Sequence, residues 1–129
     1  MTRPSPMAKV LIVDNEHSRA EVLMMLFNLD GFEVAVAVNG KDALDRLDAV
    51  RPDVIGTDDM MPIMNGGEMA TLVQASPQHA LVPIFLTSAS ELRQVERHAD
   101  HFNAFLRKPY LYDDLLALVR QVLAPPLAS

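Results

Sequence analysis

Five short apolar runs, separated by stretches of helical period, set the first constraint on what this chain can fold into. Lys9 to Val13 (KVLIV) is continuously apolar after its first residue, as in a strand buried on both faces. Glu33 to Val38 (EVAVAV), Asp53 to Thr57, Leu81 to Leu86 (LVPIFL) and Phe102 to Leu106 supply four more candidate strands. Between them apolar residues recur at helical spacing. Ala20, Leu23, Met24 and Phe27 do so within Ser18 to Leu29, followed by Ala43, Leu44 and Leu47, then Met69, Leu72 and Val73. A fourth helix, Glu91 to Ala99, has a thin apolar face, whereas Leu115, Leu118, Val119 and Val122 give the last helix a strong one. Gly31 stands where a helix C-terminal glycine belongs, Ser90 can N-cap the fourth helix, and Pro125-Pro126 stops the last. Strand and helix thus alternate five times, which predicts an α/β fold: a doubly wound, five-stranded parallel sheet with five helices on its two faces. Gly56 is an odd choice inside a strand.

At 129 residues the chain reads as one domain with a real core. The expected boundaries are a flexible arm over residues 1–8, the folded domain over 9–124 and a tail over 125–129. A net charge of -6 argues against nucleic acid and anionic membranes as partners. There is no cysteine, so disulfide and thiol chemistry are excluded. No apolar run approaches the roughly 20 residues of a membrane span, and no signal-peptide core is present, so the expectation is a cytoplasmic protein. The eight methionines read as core filler. His17, His79, His98 and His101 show no metal-ligand spacing and read as structural or surface residues.

Right-handed crossovers place the C-terminal ends of all five strands on one edge, where open α/β sheets bind their ligands. In the stretch from Pro52 to Pro62 an apolar run climbs to Asp58 and stops, and Pro62, Asn65 and Gly66 then break the backbone. An ionised carboxylate is costly to bury, so Asp58 is expected at a strand's exposed end, as the reacting group. The other strand ends deliver Asp14 and Asn15, Asp59, Thr87 and Ser88, and Lys108. Carboxylate and amide oxygens suit a hard cation such as Mg²⁺, and a lysine with a hydroxyl suits phosphoryl oxygens. An acid, a divalent cation and a lysine around one point describe phosphoryl transfer to a carboxylate.

The segments KVLIVDNE, PDVIGTDDMMPIMNG, PIFLTSAS and AFLRKPY, in that order and spacing, make the chain resemble the receiver domain of bacterial two-component response regulators. The resemblance runs from about Lys9 to Val122 and implies a flavodoxin-like sheet of order 2-1-3-4-5. By it, Asp58 is the phosphoacceptor, taking its phosphoryl group from a sensor histidine kinase or a histidine phosphotransfer protein. Mg²⁺ would be held by Asp14, Asn15, Asp58 and the backbone carbonyl of Met60. Thr87 would hydrogen-bond the phosphoryl group and Lys108 would pair with it. Phe105 falls on the aromatic switch position, and Pro109 on the family's cis-proline site. Asn15 departs from the family, which has an acid there, so weakened Mg²⁺ binding is expected. Asp59, where the family has an apolar residue, is either a partly exposed loop acid or a charge that helps hold the metal. Glu16 reads as a helix-start acid.

The chain ends after the fifth helix, so the resemblance implies a stand-alone receiver, or a fragment of a longer regulator. Its role would be signalling rather than enzymatic turnover, through a protein target on the face formed by helix four, strand five and helix five, without direct contact to nucleic acid or membrane. Three rivals differ by residue. A pseudo-receiver binding module independent of phosphate is favoured by Asn15. A Mg²⁺-dependent aspartyl-phosphate phosphatase would carry a second acid where Met60 stands. A flavin-binding protein on the same fold would need a phosphate-cradling loop after strand one, which is missing.

Overall fold

The computed structural model describes residues 8–58, 61, 63–88 and 101–123. Its elements are β1 (Lys9–Val13), α1 (His17–Leu29), β2 (Glu33–Ala37), α2 (Gly40–Val50), β3 (Val54–Asp58), α3 (Gly66–Ala75), β4 (Ile84–Ser88), β5 (Ala104–Arg107) and α4 (Tyr112–Leu123). All five strands are parallel in the order β2-β1-β3-β4-β5, as expected. The described residues hold four helices; the one expected over Glu91 to Ala99 lies outside them.

Strand side chains alternate between faces, and each face has its own core. Val10, Ile12, Val54 and Phe85 pack with Leu23 and Phe27 of α1 and Leu115 and Val119 of α4. Leu11, Val13, Ile55, Ile84 and Leu86 pack instead with α2 and α3. The ends of the helices are fixed by local chemistry. Gly31, at φ +93°, closes α1: its N–H donates to the Asn28 carbonyl and that of Phe32 to Phe27, satisfying two orphan carbonyls. The Asn39 side chain accepts from the Asp42 N–H at the start of α2. Asn65 and Glu68 form a reciprocal capping box at α3.

Some expectations shift. The fourth strand runs over Ile84–Ser88, not Leu81 to Leu86, because Pro83 has no N–H for a ladder and Val82 is held in a turn by donating to the His79 carbonyl. Thr87 and Ser88 are therefore inside the strand. The fifth strand starts at Ala104, not Phe102, because Asn103 engages Ile84 twice, once by its backbone N–H and once by its side-chain oxygen. Leu72 faces outward; Met69, Ala70 and Val73 carry the buried face of α3. Met69 is core, but Met25 is exposed. His79 is buried beside Asp48, His101 bonds Gln74, and His17 is a surface residue near Glu21; His98 lies outside the described residues.

Gly56 has a steric reason. It pairs with Phe85 across β3 and β4, and a Cβ at Gly56 would stand 2.1 Å from that buried ring. Gly56→Ala forces the ring off its rotamer, and overpacking of this kind costs about 1–3 kcal/mol. Urea unfolding should show a lower midpoint at unchanged slope; an unchanged midpoint would mean that the ring relaxes freely.

Candidate functional site

The pleat that sorts the core also assembles the site. Asp14 continues the face of Val10 and Ile12, Asp58 that of Val54 and Gly56, and Thr87 that of Phe85, so all three belong to the α1 and α4 face. Asp14 is held in line with the sheet by its N–H, which donates to the Ala37 carbonyl. Asp58 and Thr87 are register partners across β3 and β4. Beyond β5, the Lys108 N–H donates to the Ser88 carbonyl, which carries the lysine alongside β4, and the Lys108–Pro109 peptide is cis.

The charges converge. Lys108 Nζ donates to Asp58 Oδ1 at 2.8 Å. Arg19, on the first turns of α1, forks onto Asp14: Nε donates to Oδ2 at 2.6 Å and Nη2 to Oδ1 at 2.8 Å. The same Nη2 lies 3.4 Å from Asp58 Oδ2. Asp58, expected at an exposed end, is at the strand's end but only 8% exposed. Burial is tolerated because a cation faces each of its oxygens and their bonds to it are charge-assisted. The hydrogen bond to Asp14 raises the Arg19 guanidinium further above its ordinary range, so Arg19 is charged at every relevant pH. Tyr110 packs beside these groups, and burial pushes its phenol up, keeping it neutral.

Asp14, Asp58, Thr87 and Lys108 are thus brought together as expected. Asn15 is exposed in the turn after Asp14, and Met60 and Asp59 lie outside the described residues. Thr87 Oγ1 donates to the Thr57 carbonyl at 3.5 Å, the limit for such a bond. Phe105 is 40% exposed, with its ring edge-on to Phe102. Glu16 caps α1 through its carboxylate, which accepts from the Ser18 N–H, and its own N–H donates to Asp14 Oδ1. Arg19 and Tyr110 were not anticipated. A cation five residues after the first acid, in the first turn of α1, is a legible signal for the first. For Tyr110 only its place after Lys108-Pro109 pointed there.

A family model described as the response regulator receiver domain matches residues 10–120. The chain belongs to that family, and so to the signalling domains of two-component systems. It is 33% identical over 119 residues to the sensory transduction protein RegX3 of Mycobacterium tuberculosis, covering 91% of this chain and 51% of that protein. The chain spans about half the length of the curated relatives it matches. Among solved structures it is similar to the chemotaxis response regulator CheY4 of Vibrio cholerae, at 30% identity and a TM-score of 0.86, covering 92% of this chain and all of that one. It is also similar to the response regulator TrrA of Thermotoga maritima in complex with Mg²⁺ and BeF, at 25% identity and a TM-score of 0.81, covering 91% and 100%. No helix among the described residues is long and apolar enough to cross a membrane.

Removing the Lys108 ammonium leaves the Asp58 carboxylate with less compensation in a dry place. Lys108→Met should lower unfolding free energy by about 1–3 kcal/mol. Adding Asp58→Asn to that variant should recover part of the loss, a positive coupling in a double-mutant cycle followed by urea denaturation. Additive effects would show that the pair does not stabilise the resting fold.

Proposed function

We propose that Asp58 accepts a phosphoryl group from the phosphohistidine of a sensor histidine kinase or a histidine phosphotransfer protein, and that the phosphorylated domain signals by contact with a protein target. The observation that carries this reading is the placement of Asp58: it closes β3 beside Asp14 and Thr87, with Lys108 Nζ at 2.8 Å. One Asp58 oxygen attacks phosphorus in line with the leaving imidazole; the N–P bond breaks as the O–P bond forms. Lys108 neutralises charge added at the carboxylate. Thr87, whose bond to the Thr57 carbonyl is long, turns its hydroxyl toward a phosphoryl oxygen. The Thr87 movement opens space into which Phe105 turns, coupling the site to β5 and α4.

Asp14 and Asp58 are hard-oxygen donors on one face, which fits Mg²⁺. When bound, the ion supplies neutralisation of phosphoryl oxygens. Asn15 and the Met60 carbonyl complete the ligand set in this reading. The complex of TrrA with Mg²⁺ and BeF supports it. The receiver unit is assigned to residues 9–124, and the output face to β5, α4 and the segment 91–99. A second reading, a module that binds its partner without phosphate, draws on the exposed Asn15 and on the guanidinium seated on Asp14.

Incubation with acetyl phosphate and Mg²⁺ should add about 80 Da, one phosphoryl group, to the intact chain. Asp58→Asn should remove the adduct while circular dichroism stays native. An adduct retained by that variant refutes the assignment, and none on the unmodified chain favours the phosphate-independent module. For the output face, amide exchange of the chain with and without beryllofluoride should differ over β5 and α4. Differences confined to α2 and α3 would place output elsewhere.

A further inference from the structure

Arg19 does something the family reading leaves unassigned. We infer that Arg19 is a tethered competitor for the divalent cation: its guanidinium holds the carboxylate that the ion needs, and the ion binds as Arg19 leaves Asp14. The inference rests on Asp14 and Asp58 being the cation's carboxylates, as proposed above.

Three observations carry it. The first is occupancy. Nε and Nη2 take both oxygens of Asp14, at 2.6 and 2.8 Å, and Nη2 reaches on to Asp58 Oδ2 at 3.4 Å. The guanidinium takes up the two acids that would hold a hard cation, so ion and side chain compete for the same oxygens. The second is charge. Asp14 and Asp58 bring two negative charges, and Arg19 and Lys108 bring two positive ones. Asn15 adds none, and among the described residues no group of three or more acidic, histidine or cysteine side chains is placed to hold a metal. Among the described residues these four charges balance, and a divalent ion enters without a large excess of positive charge as Arg19 withdraws. The third is freedom to move. The Arg19 side chain is 37% exposed and sits in the opening turns of α1, so it reaches water by rotamer change alone. Asp14 stays aimed when it does, because the Glu16 N–H still donates to its Oδ1. Arg19 is a positioning residue in this scheme: it touches neither the phosphorus nor the donor, and sets the cation concentration at which the site is loaded.

The test is direct ion binding on the full chain, with Mn²⁺ as the probe and electron paramagnetic resonance counting the free ion. Arg19→Ala and Arg19→Met, the latter keeping an apolar stem, should each bind Mn²⁺ at least about tenfold more tightly, the scale of one unit charge removed beside an ion. Adding Asp14→Asn to Arg19→Met should abolish that gain, which locates the ion. Without a divalent ion both single variants should melt below the unmodified chain, and Mg²⁺ should raise their melting temperature more than its own. Equal or weaker Mn²⁺ binding by variants with native circular dichroism overturns the inference, as does a gain that survives Asp14→Asn. Labelling of Asp58 by acetyl phosphate, read by intact mass on the same samples, reports separately on the phosphoacceptor reading, so equal ion binding with labelling intact rejects the competitor and leaves that reading standing.

Discussion

Asp14 and Asp58 share one crevice at the sheet edge, both almost out of water, and their charge has to be met from within the fold. Two elements are committed to meeting it. α1 begins only three residues after Asp14, so its opening turns bring Arg19 back over the strand it has just left. β5 is extended by the bond from the Lys108 N–H to the Ser88 carbonyl, which brings an ammonium to the other side of Asp58. The cations come from segments far apart in the chain, and the carboxylates from the ends of two adjacent interior strands, β1 and β3. Electrostatics at the edge therefore ties together segments far apart in the chain.

The backbone of Asp58 is held as closely as its side chain. Thr57 Oγ1 donates to the Asp58 carbonyl, and Gly66 lies so near that a Cβ there would stand 2.7 Å from the same oxygen. Gly66 is the first residue of α3, and the capping box of Asn65 and Glu68 locks that first turn. The residue proposed to react thus stands on a stiff platform, and rotation is left to the side chains around it: Thr87, with one long bond, Arg19, part exposed, and Phe105, facing outward. A rigid carboxylate within a ring of adjustable partners suits the phosphoacceptor role proposed for Asp58.

Much of this was legible in the sequence because period-2 and period-3.6 signals are local. KVLIV and the stripe from Leu115 to Val122 need no tertiary context, and strand ends that share an edge put Asp14, Asp58, Thr87 and Lys108 together. What failed depended on partners. LVPIFL looks like a strand from its first residue, yet the missing N–H of Pro83 moves the ladder three residues on. Gly56 looked arbitrary until Phe85 was opposite it. An isolated carboxylate belongs in water, which is why the sequence places Asp58 at an exposed end; the guanidinium of Arg19 and the ammonium of Lys108, supplied from distant segments, make the burial tolerable.

The two cores differ in how soon the chain can finish them. On the α2 and α3 side every buried member among the described residues lies between Leu11 and Phe102. On the other side Leu23 and Phe27 wait for Leu115 and Val119, and the Tyr112 hydroxyl closes onto the Asp30 carboxylate at the end of α1, 82 residues earlier. A chain leaving the ribosome can therefore seal one side of the sheet while the other, which carries the acids, still lacks α4. Until then α1 covers an unfinished surface, and the crevice acquires its lysine only when synthesis has nearly reached α4. Vectorial assembly thus lets the α2 and α3 side of the sheet close before the edge that carries the acids is complete.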